Sequence, residues 1–481
     1  MPYLHHLPNE LLITITTHLD TAHDINSLAQ ANRHLYTIFN PPLYHHNAKH
    51  QHLSALTWAA RHSILNTAHH AIHASQKISP TTKLETFHHA LVIAIESGGG
   101  TMDIINLLLT QDSINPNLQF LTEEEEKAGD RLRRTFLARA AQAGNMPAIK
   151  HLLHLPTSTL VDPNLGSNAG RSPLSYASSS NHIDAVTYLL STPGINPDLR
   201  DSLYGRTPLS YAADAGALAA VSQLLLHPAV DINAAPDPDQ CVGLGWTPLM
   251  FAIDKKHVSV AKRLLSMPGI DVGYRSKLGE TALHLAVFRG LEELVPLLLA
   301  CGVDPDIRGP RDATPLFYAA HFGNLGIARV LCEEGGADPD ARTAHGDSPL
   351  REAALYGRAE IVRFLLGTGR VDVSGRDGEA GVTVLAAAAM RGSREVVRLL
   401  LGCEGGGGGG GGDLDMEARD RQGRNALSYA VGYGDVEIVR MLVERVEGGV
   451  DLEGVDGAGR TLLSYAPEIV RGEMGRVLRG G

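Results

Sequence analysis

Cysteine is scarce: Cys241, Cys301, Cys332 and Cys403 are the only four in 481 residues, with no C-x-x-C pair and no regular spacing. This excludes a disulfide framework and a cysteine-built zinc site, and the four read as reduced, mostly buried thiols. Long apolar runs are also missing. None approaches the roughly 20 residues a membrane span needs, so no bilayer contact is expected. The opening MPYLHHLPNELL has no basic stretch followed by an apolar core and a small-residue cleavage site. An intracellular location, cytoplasmic or nuclear, is therefore expected. Positive charge is not in excess either. The formal charge is −11, whereas a nucleic-acid surface needs clustered Lys and Arg to displace counterions. Catalytic signatures are absent: no H-E-x-x-H, nucleophile elbow, P-loop or spaced Cys/His pair occurs. The sequence predicts no enzyme and no cofactor. A glycine run at 405–412 superficially satisfies G-x-G-x-x-G, but no strand precedes it and no Lys-Ser/Thr follows. It reads as a lengthened loop, cheap in closure entropy.

What the chain has is repetition. RSPLSYA begins at Arg171, RTPLSYAA at Arg206, WTPLMFA at Trp246, ETALHLA at Glu280, ATPLFYAA at Ala313, DSPLREAA at Asp347, VTVLAAAA at Val382, RNALSYA at Arg424 and RTLLSYA at Arg460. The Thr, Ser or Asn of these copies recurs every 33 to 42 residues. Two weaker copies, from Thr135 and from His89, precede them, with a charged insertion at 123–126. The array therefore starts near residue 87, and stacking explains how a chain of this length folds without one large core.

Each copy has a physical logic. The hydroxyl caps a helix start and the following Pro occupies the first helical position, where no donor is needed. Small residues follow, then a Gly such as Gly216, Gly290, Gly323, Gly357, Gly392 or Gly434 that ends the helix in the left-handed region. A second apolar stripe at helical spacing comes next, for example 361–366 or 396–401. Turn residues such as Gly279 and Gly346 then mark an extended hairpin finger. The last copy meets Pro467, which predicts a truncated second helix.

The order T-P-L-x-x-A-A, then G, then I-V-x-x-L-L, then a D-V-N-like piece, resembles the ankyrin repeat over about four-fifths of the chain. The resemblance implies an all-α solenoid of about ten to eleven helix-turn-helix repeats, occupying 87–481. Its fingers and first helices would line a concave protein-binding face.

Residues 4–47 do not fit that repeat. Pro8 precedes a helical stripe of Leu11, Leu12, Ile15 and Leu19, and Asp24 can cap a second helix carrying Ile25, Leu28 and Ala31. The phrase L-P-x-E-L-L-x-x-I-x-x-x-L-D, then D-I-x-x-L-A-x-x-N-R-x-L-Y, resembles the F-box. That small helical module docks on the Skp-type adaptor of cullin-RING (SCF-type) ubiquitin ligases. The resemblance places the docking surface on Leu7, Pro8, Leu11, Leu12, Ile15, Leu19 and Leu28. Tyr44 stands where the family often has Trp, and Ala29-Gln30-Ala31 where a hydrophobic-Cys stretch is common. Two readings stay open: 1–47 as a docking module, or as a plain helical cap sealing the first repeats. Residues 48–86 read as connecting helices with Trp58 buried.

Histidines crowd the first 90 residues, 15 of 23, but without paired Cys or carboxylates they read as solvated rather than metal-binding. Aligning the repeats gives better candidates. An Arg stands six or seven residues before the marker at Arg200, Arg275, Arg308, Arg342, Arg376 and Arg419. Phe288-Arg289, His321-Phe322, Leu355-Tyr356, Met390-Arg391 and Tyr433 close the first helices, on the side that the ankyrin resemblance turns toward the concave face. Arginine with aromatics is the composition of interface hot spots. The expected partner-binding set is thus Arg275, Phe288, Arg289, Arg308, Phe322, Arg342, Tyr356, Arg376, Arg391, Arg419 and Tyr433. Lys262, Arg329, Arg363, Arg398 and Arg440, on the second helices, read as a solvated face. The expected function is a protein-binding adaptor, either a ligase substrate receptor or a scaffold without a ligase link.

Overall fold

The computed structural model describes residues 54–75, 80–97, 102–111, 114–121, 132–155, 161–237, 242–402, 414–446, 452 and 455–479. The F-box-like segment with Leu7, Pro8, Leu11, Leu12, Ile15, Leu19 and Leu28 lies outside them, as do Cys241, Cys403 and the glycine run. The chain divides near residue 243 into two units.

In the first unit, helices come in pairs: α1 Ser54–His62 with α2 Leu65–Ala74, α3 Pro80–Glu96 with α4 Met102–Leu109, and α5 Phe136–Ala143 with α6 Met146–Leu153. Two more pairs follow, α7 Pro173–Ser179 with α8 Ile183–Leu190 and α9 Pro208–Asp214 with α10 Leu218–Leu224. Each first helix packs on the next first helix, and each second helix on the next second helix. The pair α1–α2 obeys the same rule against α3–α4, so the stacking pattern begins ahead of residue 87. Trp58 departs from expectation. It is 51% exposed, because α1 turns Leu56, Ala59 and Ala60 into the stack and leaves Trp58 on the opposite face, its ring tilted 45° against His62 at 4.8 Å.

The second unit repeats the scheme. It holds α11 Pro248–Asp254 with α12 Val258–Leu265, α13 Ala282–Arg289 with α14 Val295–Ala300, and α15 Pro315–Phe322 with α16 Leu325–Arg329. Then come α17 Pro349–Leu355 with α18 Ala359–Gly367, α19 Val384–Met390 with α20 Arg394–Leu401, and α21 Ala426–Tyr433 with α22 Val436–Val443. The final copy differs from expectation. Its first helix shrinks to one 3-10 turn, Leu462–Tyr465, because Pro467 follows so closely, while a full second helix, α23 Arg471–Leu478, packs on α22. Proline cut short the first helix, not the second. The only two-residue ladder among the described residues pairs β1 Arg376–Asp377 with β2 Val382–Thr383 in one finger.

The start signals work as the residue types dictate. The side chains of Thr135, Ser172, Thr207, Thr247, Thr281, Thr314, Ser348, Thr383 and Asn425 each accept the backbone N–H three residues on. These caps are buried between neighbouring repeats, so no water replaces a lost bond. Thr314→Val keeps the shape and removes the acceptor for Phe317 N–H. Its expected cost is about 1 kcal/mol in urea-unfolding free energy. Gly392, with φ +68°, shows why glycine ends a first helix: a Cβ there would lie 2.2 Å from the Tyr433 ring of the next repeat.

Neighbouring fingers are joined by backbone bonds, Ser202 N–H to the Ala169 carbonyl at 2.8 Å, Arg421 to Ala380 at 2.9 Å and Gly457 to Gln422 at 2.9 Å. Helices and fingers therefore propagate the same register from copy to copy. Of the two cysteines in view, Cys301 is exposed, against expectation. Cys332 is partly covered, and burial raises its thiol to about 11.

Candidate protein-binding face

Two rows of side chains run along the second unit. The first is the arginine row. Arg275 donates to the Arg308 carbonyl of the next finger, and Arg308 to the Arg342 carbonyl and to Asp312 O at 3.0 Å. Arg342 reaches the buried Asp377 of the following finger, and also Asp340 at 3.3 Å. In the first unit Arg200 bonds the Ala235 carbonyl in the same way. Arg419 instead closes its own finger on the Gly423 carbonyl at 3.1 Å, and Arg376 is exposed on β1. The row is thus first of all a set of ties between fingers. Arg200, Arg275, Arg376 and Arg419 nonetheless stay exposed, and Arg308 and Arg342 partly so.

The second row is aromatic. Phe288, closing α13, meets Tyr318 of α15 edge-to-face at 4.6 Å and Phe322 at 6.0 Å. Phe322 lies edge-to-face on His321 at 4.8 Å, and His321 lies 4.3 Å from Tyr356, which follows α17. The Arg391 guanidinium is 6.0 Å from the Tyr356 ring. Consecutive repeats thereby carry one contiguous aromatic strip. Phe322, Tyr356 and Tyr433 are 44%, 41% and 55% exposed, large apolar surface in a position no core explains.

The strip is held from beneath by charge. Arg289 pairs with Asp254 of the preceding repeat, a carboxylate almost fully covered. His321 Nδ1 lies 2.8 Å from Glu352 Oε1, and Arg358 Nε donates to the His321 carbonyl at 3.1 Å. Of the strip's rings, His321 is the one these contacts hold directly; a side chain fixed this way loses little further freedom on binding, which favours affinity. Tyr318 and Glu352 were missed in the sequence reading. The only signal for Tyr318 was its place four residues after the marker, shared with tyrosines in other copies. Lys262 and Arg363 form exposed ion pairs with Glu293 and with Glu360 and Glu395, as a solvated face requires.

Behind the strip lies His284, fully buried. Its Nε2 faces the Ala313 carbonyl at 3.3 Å and its Nδ1 the Thr281 hydroxyl at 2.9 Å. A neutral ring donating to the carbonyl and accepting from the hydroxyl satisfies both. Burial pulls its pKa down to about 4; Arg275 adds to the fall, and the Ala313 carbonyl opposes it. Among the described residues no group of three His, Cys, Asp or Glu is placed to hold a metal. No described helix is long and apolar enough to cross a membrane.

A family model described as ankyrin repeats (three copies) matches residues 91–201, 137–236, 193–276, 235–309, 283–377 and 369–456. The chain belongs to the ankyrin-repeat family, an all-α class of interaction scaffolds that are typically non-enzymatic, and its repeats bind protein. Among solved structures, the crystal structure of the ankyrin repeat domain of Bcl-3, described as a unique member of the IkappaB protein family, is 27% identical to it. The match covers 49% of this chain and 100% of that one, with a TM-score of 0.40.

Proposed function

We propose that this protein is the substrate-recognition subunit of a cullin-RING (SCF-type) ubiquitin ligase. Residues 1–47 dock the Skp-type adaptor through Leu7, Pro8, Leu11, Leu12, Ile15, Leu19 and Leu28; 48–86 connect; and the repeats of 87–481 hold the protein to be modified. Recognition is centred on Phe288, Phe322, Tyr356 and Tyr433, flanked by Arg289 and Arg391 and by Arg275, Arg308, Arg342, Arg376 and Arg419. The observation that carries the binding half is the exposed aromatic strip, whose His321 is anchored on Glu352. The docking half is supported by the L-P-x-E-L-L phrase. It is favoured over a plain cap because α1 and α2 already lie against α3 and α4, which gives the stack a sealing helix pair of its own.

The test is a pull-down with purified Skp-type adaptor. Wild type retains it, and Leu11→Asp with Ile15→Asp reduces retention at least about tenfold, the effect of losing roughly 1.4 kcal/mol of apolar contact. Unchanged retention in the double variant, or no retention by wild type, removes the ligase link. The scaffold reading, with 1–47 acting only as a cap, would then stand.

A further inference from the structure

Four copies carry Arg immediately before the marker and Tyr four residues after it: Arg171 with Tyr176, Arg206 with Tyr211, Arg424 with Tyr429 and Arg460 with Tyr465. In each, the finger tip closes by a backbone bond to that Arg carbonyl, from Ser167, Asp201, Asp420 and Asp456 respectively. Three of the four closing residues are therefore aspartates, and their carboxylates organise the tip. Asp420 accepts the Tyr429 hydroxyl at 2.6 Å, Arg424 Nη2 at 2.9 Å and two backbone N–H groups at 2.8 and 2.9 Å. Asp456 repeats the pattern with Tyr465 and Arg460. Asp201 takes the Tyr211 hydroxyl at 3.1 Å, with the Arg206 guanidinium turned to Asp214.

The fourth tip keeps the arginine and the tyrosine but has Ser167 in place of the acid. The Ser167 hydroxyl accepts only the Arg171 N–H, at 3.3 Å. In consequence Tyr176 Oη, on a side chain 2% exposed, is buried with no hydrogen-bond partner, and so is Arg171 Nε. The Arg171 guanidinium is sandwiched between the Tyr176 and Tyr211 rings, 4.2 and 4.0 Å from their centres. It donates to Ser175 O and the Ser179 hydroxyl, both neutral. A second guanidinium, that of Arg134, lies 5.8 Å from the Tyr176 ring. The nearby Asp201 carboxylate is already committed to Tyr211 and to the N–H groups of Leu203, Tyr204 and Arg206. Burial lowers the pKa of Arg171, and Arg134 pushes the same way against Tyr211, Tyr176 and Asp201. A half-buried cation and a buried phenol are thus presented together where every sibling tip supplies an anion.

We infer that the Ser167 tip is a carboxylate-binding site: a carboxylate from outside the chain does there what Asp420 and Asp456 do in their own tips. It accepts from Tyr176 Oη and from the Arg171 guanidinium, with the Ser167 hydroxyl and Arg134 beside it. The ligand chemistry this donor set fits is a small free carboxylate such as acetate, or the end of an Asp or Glu side chain of a bound protein. It does not depend on the ligase reading.

Thermal unfolding of the full chain tests this, with sodium acetate set against sodium chloride at equal ionic strength. Two peptides form a second arm, acetyl-Gly-Asp-Gly-amide and its Asn counterpart. Acetate is expected to raise the wild-type midpoint about 2 °C more than chloride does. Ser167→Asp is expected to unfold at a higher midpoint in chloride and to lose the acetate-specific rise. Tyr176→Phe keeps the fold and at least halves the rise. A rise with acetate alone assigns the site to free small carboxylates; a rise with acetate and the Asp peptide, but not the Asn peptide, assigns it to acidic side chains. Equal midpoints in acetate and chloride for wild type overturn the inference. So does an acetate response that survives in Ser167→Asp or is untouched in Tyr176→Phe.

Discussion

Leu316→Ala, in the middle of the second unit, lowers the unfolding free energy by about 2 to 5 kcal/mol. Leu316 is fully buried on α15, and α15 is packed between α13 and α17, so a cavity there is lined by three helices that cannot all collapse into it. Stacked repeats contact only their neighbours, and stability is a sum of weak units and strong interfaces. The loss is therefore expected to spread to both flanking copies. Urea unfolding gives the magnitude. Hydrogen exchange gives the spread: amides of α13 and α17 should lose protection together with those of α15. Loss confined to α15 would mean that the repeats are less coupled than their packing implies.

The second large effect is acid sensitivity through His284. Its folded pKa of about 4 lies below the ordinary 6.5, so the folded state excludes a proton that the unfolded chain binds. The sign follows: the stability contribution is complete above pH 6.5 and falls away as the pH drops from 6.5 towards 4, by about 3 kcal/mol at the end of that window. Protonation would place a cation between Thr281 and the Gly309 backbone, whose Cα is so close to the ring that an added Cβ would lie 2.3 Å from Nε2. His284→Asn is expected to be less stable than wild type at pH 7 and to lose distinctly less stability between pH 7 and 4.5. Parallel curves for the two proteins would contradict the assignment.

Helix starts were legible in the sequence because the same buried cap recurs in nine copies, from Thr135 to Asn425, and a buried side-chain oxygen has one job wherever it recurs; Thr461, partly exposed, makes no such bond. The aromatic strip was legible for a related reason: Phe288, Phe322 and Tyr356, and separately Tyr433, end first helices at positions where the repeat needs only small residues or Gly. What could not be read was pairing between copies. Arg275 and Arg308 were visible as a row, but their use as ties depends on where the next finger's carbonyls fall, which is set by stacking. Trp58 misled because a lone large aromatic suggests burial, whereas the neighbours Leu56, Ala59 and Ala60 decide which face of α1 turns inward. The carboxylate site at Ser167 was hidden for the opposite reason: its signal is one substitution within an otherwise repeated tip, and only the orphaned Tyr176 hydroxyl gives that substitution meaning.

The central claim is that the aromatic strip is the recognition surface. Phe288→Ala, Phe322→Ala and Tyr356→Ala together remove two exposed rings and one partly covered ring, none of them in the core, and should leave the fold intact. The decisive measurement is quantitative proximity labelling in cells with wild type and this triple variant, after circular dichroism and thermal unfolding show the two equally folded. The protein neighbours labelled by wild type are expected to fall at least about tenfold in the triple variant, since even one central hot spot is worth about 2 kcal/mol. An unchanged labelled set from an equally folded variant would contradict the account.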